Sequence, residues 1–168
     1  MIPLGSMIAR EDLANAFLGP AEAEIQFAHG HTFAGNPLAA AVGIAVIDEL
    51  VEKCLPDKAR ELGEYLSGRL CELRRYGIVR EVRGRGLIQG VELAEDPVTN
   101  RPFPASRKLG TALKRTAIKN GLILRVDPDW FAVGPALIAD RSDIDEMCLL
   151  IEKSLKEALE LVAGGTVK

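Results

Sequence analysis

The 168-residue chain sets 21 Lys+Arg against 24 Asp+Glu, a formal charge of -3, so it has no concentrated basic face with which to capture nucleic acid or an anionic membrane surface. At 48% hydrophobic, 27% charged and 5% aromatic residues, it reads as an ordinary globular chain with a core of Leu, Ile, Val and Ala. Cys54, Cys71 and Cys148 form no CxxC pair and leave one thiol over in any disulfide scheme, which points to small buried hydrophobes or surface thiols in a reducing, cytoplasmic setting. No run approaches the roughly 20 apolar residues of a membrane span, and the first ten residues lack the basic and apolar regions of a signal peptide.

The opening MIPLGSMIAR reads as a turn around Pro3 and Gly5 leading into a short buried strand at Ser6 to Ala9. Core-like sequence from the first residue, with no polar lead-in, raises the expectation that polypeptide precedes it. A short helix over Arg10 to Leu18 ends at Gly19 and Pro20, and Ala21 to Phe33 is irregular. Asn36 is a good N-cap and Pro37 suits the first helical position, so a helix starts there and runs through Val51, apolar nearly all round and therefore expected to be mostly buried. Pro56 opens a second helix with Ala59, Leu62, Leu66, Leu70 and Leu73 on its buried stripe, and Gly77 stops it.

Ile78 to Arg83 and Leu87 to Leu93 alternate as two strands of a hairpin, with Gly84 and Gly86 between them. Asp96 to Pro104 holds three prolines and should be an exposed loop; Ala105 to Asn120 reads as a helix. Leu122 to Val126 and Phe131 to Val133 are short strands around Asp127, Pro128 and Asp129. Ser142 with Asp145 resembles a capping box opening a last helix that runs to about Ala163, after which GGTVK should fray. This order predicts an α+β domain in which helices cover a small, mainly antiparallel sheet, preceded by an N-terminal arm.

Few residues carry chemistry on their own terms. Thr32, in HGHTFAGNP just before a helix N-terminus, stands where backbone N–H groups and the helix dipole favour a phosphate, or else shapes a turn together with His31. His29 and His31 have no nearby third ligand and make a poor zinc site. GRGLIQG, Gly84 to Gly90, spaces its glycines wrongly for a dinucleotide loop and has no following helix, so the glycines serve a tight turn and close backbone approach. Arg125, ending the apolar run LILR, suits either a substrate carboxylate or a structural pair with Asp127, Asp129 or another acid.

Three ordered motifs, HTFAGNPLAAAVGIAVID, VREVRGRGLIQGVEL and GLILRVDPDWFAVGPALIADRSDIDEM, resemble the C-terminal part of class III aminotransferases, pyridoxal phosphate enzymes of fold type I. The resemblance covers essentially the whole chain. It implies that 1–35 is the tail of the large cofactor-binding domain, 36–53 an interdomain helix and 54–168 the C-terminal small domain. It further implies that Thr32 contacts the cofactor phosphate of a neighbouring subunit and that Arg125 binds or swings toward the substrate carboxylate. At Pro135 the family often has two prolines where this chain has GPA.

The same resemblance puts the Schiff-base lysine before Met1. Lys53, Lys58, Lys108 and Lys114 match no catalytic motif, so no residue here is expected to be catalytic and no metal is implied. The resemblance therefore implies a parent reaction moving an amino group from an amine or ω-amino acid to a 2-oxo acid, with this polypeptide inactive alone and binding pyridoxal phosphate weakly or not at all. Its partners would be the missing N-terminal large domain or further copies of itself. A non-catalytic dimerisation module and one half of a split enzyme stand as the alternatives.

Overall fold

A computed structural model describes residues 3–25, 27 and 29–164, and contacts divide the chain into two units, Met1–Lys53 and Cys54–Lys168. In the first unit, α1 is a single short helix, Glu11–Asn15, and α2 spans Pro37–Glu52. The Asn36 side chain caps α2 by accepting from the N–H groups of Leu38 and Ala39 at 3.0 and 3.2 Å, and Pro37 begins it, as its fixed φ and missing N–H favour. The strand expected at Ser6 to Ala9 is irregular, exposed backbone, because a four-residue segment with no neighbouring strand has nothing to bond its N–H and C=O groups. The burial expected of α2 is also absent. Among the described residues of this unit Ala39 alone is buried, and Ile44 is 62% exposed. Apolar content licenses burial, but only a facing surface achieves it.

The second unit begins with α3, Leu55–Cys71, which continues as a tight turn over Glu72–Tyr76 and stops at Gly77, whose φ of +68° suits a residue without Cβ. Two strands follow, β1 at Val79–Arg85 and β2 at Ile88–Leu93, as the expected hairpin. Its two-residue tip, with Gly86 at φ +54°, rests on α3 so closely that a Cβ at Gly63 would collide with the Gly86 backbone. The glycines of GRGLIQG thus serve close packing. The 96–104 loop is largely exposed, tied by Asp96 carboxylate bonds from the Val98 and Thr99 amides.

The helix expected over Ala105 to Asn120 is broken. Lys108 adopts φ +49°, so a single turn over Ala105–Arg107 precedes α4, Leu109–Lys119. At its other end Gly121 (φ +83°) donates to the Ile118 carbonyl and Leu122 to that of Ala117, the pattern of a helix closed by a left-handed glycine. Residues 121 and 122 are used in that closure, and β3 therefore spans only Arg125–Asp127 before β4, Trp130–Val133. The last helix, α5, runs Arg141–Ala163. Its capping box sits on Asp140 and Asp143 rather than Ser142 and Asp145: the Asp140 carboxylate accepts from the Ser142 and Asp143 amides, and Asp143 accepts from the Asp140 amide at 2.9 Å. Asp145 is engaged by Arg69 and Tyr65 of α3 instead. Of GGTVK, which was expected to fray, Gly164 closes α5 by donating to the Glu160 carbonyl at 2.9 Å, and 165–168 lie outside the described residues.

The four strands form one antiparallel sheet in the order β1-β2-β4-β3. Val82, Val91, Phe131 and Val126 make one cross-strand row on the face that packs under the helices. Leu66 and Leu70 of α3, Leu113 of α4, and Ile144, Ile151 and Leu155 of α5 meet that row and are fully buried, each contributing about 1.5–3 kcal/mol by burial. Between α4 and α5 the buried Thr116 hydroxyl donates to the Ser154 carbonyl at 2.8 Å, and the Ser154 hydroxyl donates to Leu150. Cys148 is buried, which pushes its thiol up to about 11, so it stays protonated at neutral pH as a small hydrophobe. No helix among the described residues is long and apolar enough to cross a membrane.

Candidate functional site

The two residues singled out for binding belong to different units. Thr32 lies in the turn 32–35 that leads into α2, where the Ala34 amide bonds the His31 carbonyl and Gly35 takes φ +73°. Its side chain is exposed and has no hydrogen-bond partner among the described residues. Its neighbours His31 and Phe33 line a cleft of about 500 Å³ together with Leu4, Gly5, Asn36 and Ala39. The His31 ring meets the edge of His29 at 5.5 Å, and His29 stacks on Phe27 at 5.7 Å. The first amides of α2 are occupied by Asn36, so they do not serve an anion in this conformation. What the Thr32 side chain offers a phosphate is its exposed hydroxyl.

Arg125 is the first residue of β3. Pairing of Arg125 with Ala132 and of Asp127 with Trp130 puts Arg125, Asp127 and Trp130 on the sheet face opposite the core, since side chains alternate along a strand. Arg125 is 76% exposed, its Nε lies 3.7 Å from Asp127 Oδ2, and its guanidinium carbon lies 5.4 Å from the Trp130 ring centroid. The partnership with Asp127 is one of the options open in the sequence. Trp130 escaped notice there. The available signal was the two-residue link Pro128 and Asp129, which makes 127 and 130 opposite neighbours and 125 diagonal to 130.

The same face carries an open groove of about 430 Å³ lined by Arg83, Ile88, Gly90, Glu92, Trp130 and Ala132. Glu92 there holds Arg80 and Arg83. Of the lysines considered above, Lys53 ends α2 paired with Glu49, Lys58 reaches the Ile138 carbonyl at 3.4 Å, and Lys108 and Lys114 are exposed.

The class III aminotransferase family matches residues 2–155. This chain belongs to that family. It is 36% identical to the adenosylmethionine-8-amino-7-oxononanoate aminotransferase of Geobacter sulfurreducens, over 98% of this chain and 35% of that protein. Among solved structures, an (S)-enantioselective ω-transaminase from Thermomicrobium roseum matches at TM-score 0.70 and 34% identity, over 84% of this chain and 31% of that one. The PMP-bound aminotransferase of Vibrio fluvialis matches at TM-score 0.76 and 27% identity, over 84% and 31%. The chain spans about a third of the length of the curated relatives it matches. Its fold is that of PLP transaminases, with a four-stranded antiparallel sheet covered by helices.

Proposed function

We propose that this chain is the C-terminal portion of a pyridoxal phosphate-dependent aminotransferase that moves an amino group from an amine or ω-amino acid to a 2-oxo acid. The family match over residues 2–155 carries the reading. In this reading 1–35 is the tail of the large domain, 36–53 the interdomain helix and 54–168 the small domain, which agrees with the contact division after Lys53.

Pyridoxal phosphate, when bound in such an enzyme, supplies the aldehyde carbon and the electron sink for amino transfer. The fit of this chain's residues to it is that of one contact: the exposed Thr32 hydroxyl donates to a phosphate oxygen of cofactor held by a neighbouring subunit. Arg125, 76% exposed and with only a 3.7 Å ion pair to Asp127, takes the substrate carboxylate in its planar fork. In this reading Lys53, Lys58, Lys108 and Lys114 match no catalytic motif, and the polypeptide alone does not transaminate.

The test is direct. The purified chain is incubated with pyridoxal phosphate, reduced with borohydride and peptide-mapped. Scattered, substoichiometric labelling of surface lysines is the expected result, and one lysine labelled stoichiometrically refutes it. Restoration of activity by an added polypeptide carrying a large domain would favour a split enzyme.

The exposed apolar surface of α2 favours a second reading, a non-catalytic module that self-associates. Light scattering separates the two: a concentration-dependent dimer supports the module, and a clean monomer counts against it.

A further inference from the structure

Asn120 is the one asparagine of the chain followed by glycine, and it stands where the end of α4 meets α5. Its Nδ2 donates to the Ser154 hydroxyl at 3.1 Å, and that hydroxyl itself donates to the Leu150 carbonyl at 2.7 Å. The Ser154 oxygen therefore has a lone pair to offer Asn120 and no proton. Asn120 also lies beside Glu157, whose carboxyl is held below its usual range by Lys119, at 3.0 Å, and in smaller part by the Asn120 amide. The position needs a donor. An acid of the same shape would face a committed hydroxyl and a second carboxylate.

An Asn–Gly junction is chemically reactive because glycine, without Cβ, leaves its amide nitrogen open to attack the asparagine side chain. The deprotonated Gly121 nitrogen bonds to Asn120 Cγ, the Cγ–Nδ2 bond breaks and ammonia leaves, closing a five-membered succinimide. Water then opens either ring carbonyl, so the net change is uptake of water and loss of ammonia, with aspartate or isoaspartate as product and nothing oxidised or reduced. The folded chain obstructs this. The Gly121 N–H is donated to the Ile118 carbonyl at 3.0 Å, and the Leu122 N–H to that of Ala117 at 2.9 Å. Asn120 has ψ 8°, whereas the ring needs its Cβ and the Gly121 nitrogen eclipsed about the Cα–C bond. Attack therefore waits for the last turn of α4 to open.

We propose that Asn120–Gly121 is a spontaneous modification site, a succinimide junction that the closure of α4 keeps shut and whose hydrolysis irreversibly loosens the seam between α4 and α5. The aspartate product places a carboxylate where Ser154 and Glu157 face a donor. The isoaspartate product adds a methylene to the main chain at the closure itself. Neither re-forms the original end of α4, so a modified chain opens there more readily than an intact one.

The experiment holds the full 168-residue chain at mildly alkaline pH with and without urea and follows the tryptic peptide 120–125 by mass spectrometry against synthetic asparagine, aspartate and isoaspartate standards. Conversion should be at least about tenfold faster in urea, since the folded chain reacts only through its opened fraction. Ser154→Ala, which frees Nδ2, should speed conversion of the folded chain by about fivefold, the worth of one hydrogen bond. Asn120→Gln, whose ring would need a further member, should stop it. Asn120→Asp should lower the urea midpoint at neutral pH, and by less in a Glu157→Gln background, because the two carboxylates no longer meet. Absence of conversion in urea overturns the site. Equal rates with and without urea overturn the protection by α4, and an Asn120→Asp midpoint equal to that of the wild type overturns the loosening. If Ser154→Ala fails to fold, the urea comparison and Asn120→Asp decide.

Discussion

α2 has the densest apolar sequence of the chain, PLAAAVGIAVIDELVE, and buries Ala39 alone. α5 carries charge throughout RSDIDEMCLLIEKSLKEALELVA, yet buries Ile144, Cys148, Ile151, Leu155 and Ala158. The contrast shows that burial follows pattern and partner rather than hydrophobic content. The stripe of α5 recurs every three or four residues, so one face meets the sheet and α4 while its charges remain in water. α2 has no polar face to separate from an apolar one, and within its own unit little packs against it.

The largest test of this contrast is Phe131→Ala. Phe131 is 0% exposed at the centre of the core row, and its truncation should cost about 3–5 kcal/mol in urea denaturation followed by circular dichroism. Next comes Gly63→Ala, where a Cβ meets the Gly86 backbone. A loss of about 1–3 kcal/mol is expected, and an unchanged midpoint would mean that the hairpin tip does not rest on α3.

Glu152 sharpens the electrostatic side of the comparison. The Tyr76 hydroxyl at 2.5 Å and the Arg75 guanidinium hold its carboxyl down at about 2. Since the folded pKa lies below the unfolded one, this contribution is full above the ordinary carboxylate range and is lost as pH falls toward about 2. Glu152→Gln should therefore be about 1 kcal/mol less stable than wild type at neutral pH, with the gap closing on acidification. A gap that persists at pH 2 would contradict the assignment. The smallest effect should be Ile44→Ala, at 62% exposure on α2, which should move the same unfolding transition by less than about 0.5 kcal/mol. A cost matching that of Phe131→Ala would erase the distinction between the two regions.

Much of the fold was readable in advance. Asn36 and Pro37 marked a helix start, alternation over 78–93 marked the hairpin, and the apolar spacing of α3 and α5 named their core residues, because caps, turns and periodicities act over a few residues. The misses have non-local causes. Asp145 is held by Tyr65 and Arg69 of α3, which leaves the capping box to Asp140 and Asp143, and no local spacing marks the left-handed Lys108 that splits the 105–120 helix. At the candidate site, Thr32 and Arg125 were visible as residues, whereas Trp130 became relevant only through strand register.

The sequence by itself determined the family, the α+β order of elements and which stripe of α3 and α5 turns inward, since these rest on composition, local spacing and ordered motifs. The tertiary structure decided that α2 stays largely exposed, that two glycines let the hairpin tip touch α3, and that one ring and one carboxylate share the guanidinium of Arg125. These outcomes require surfaces distant in sequence to meet, or fail to meet, and no local pattern encodes the distance between them.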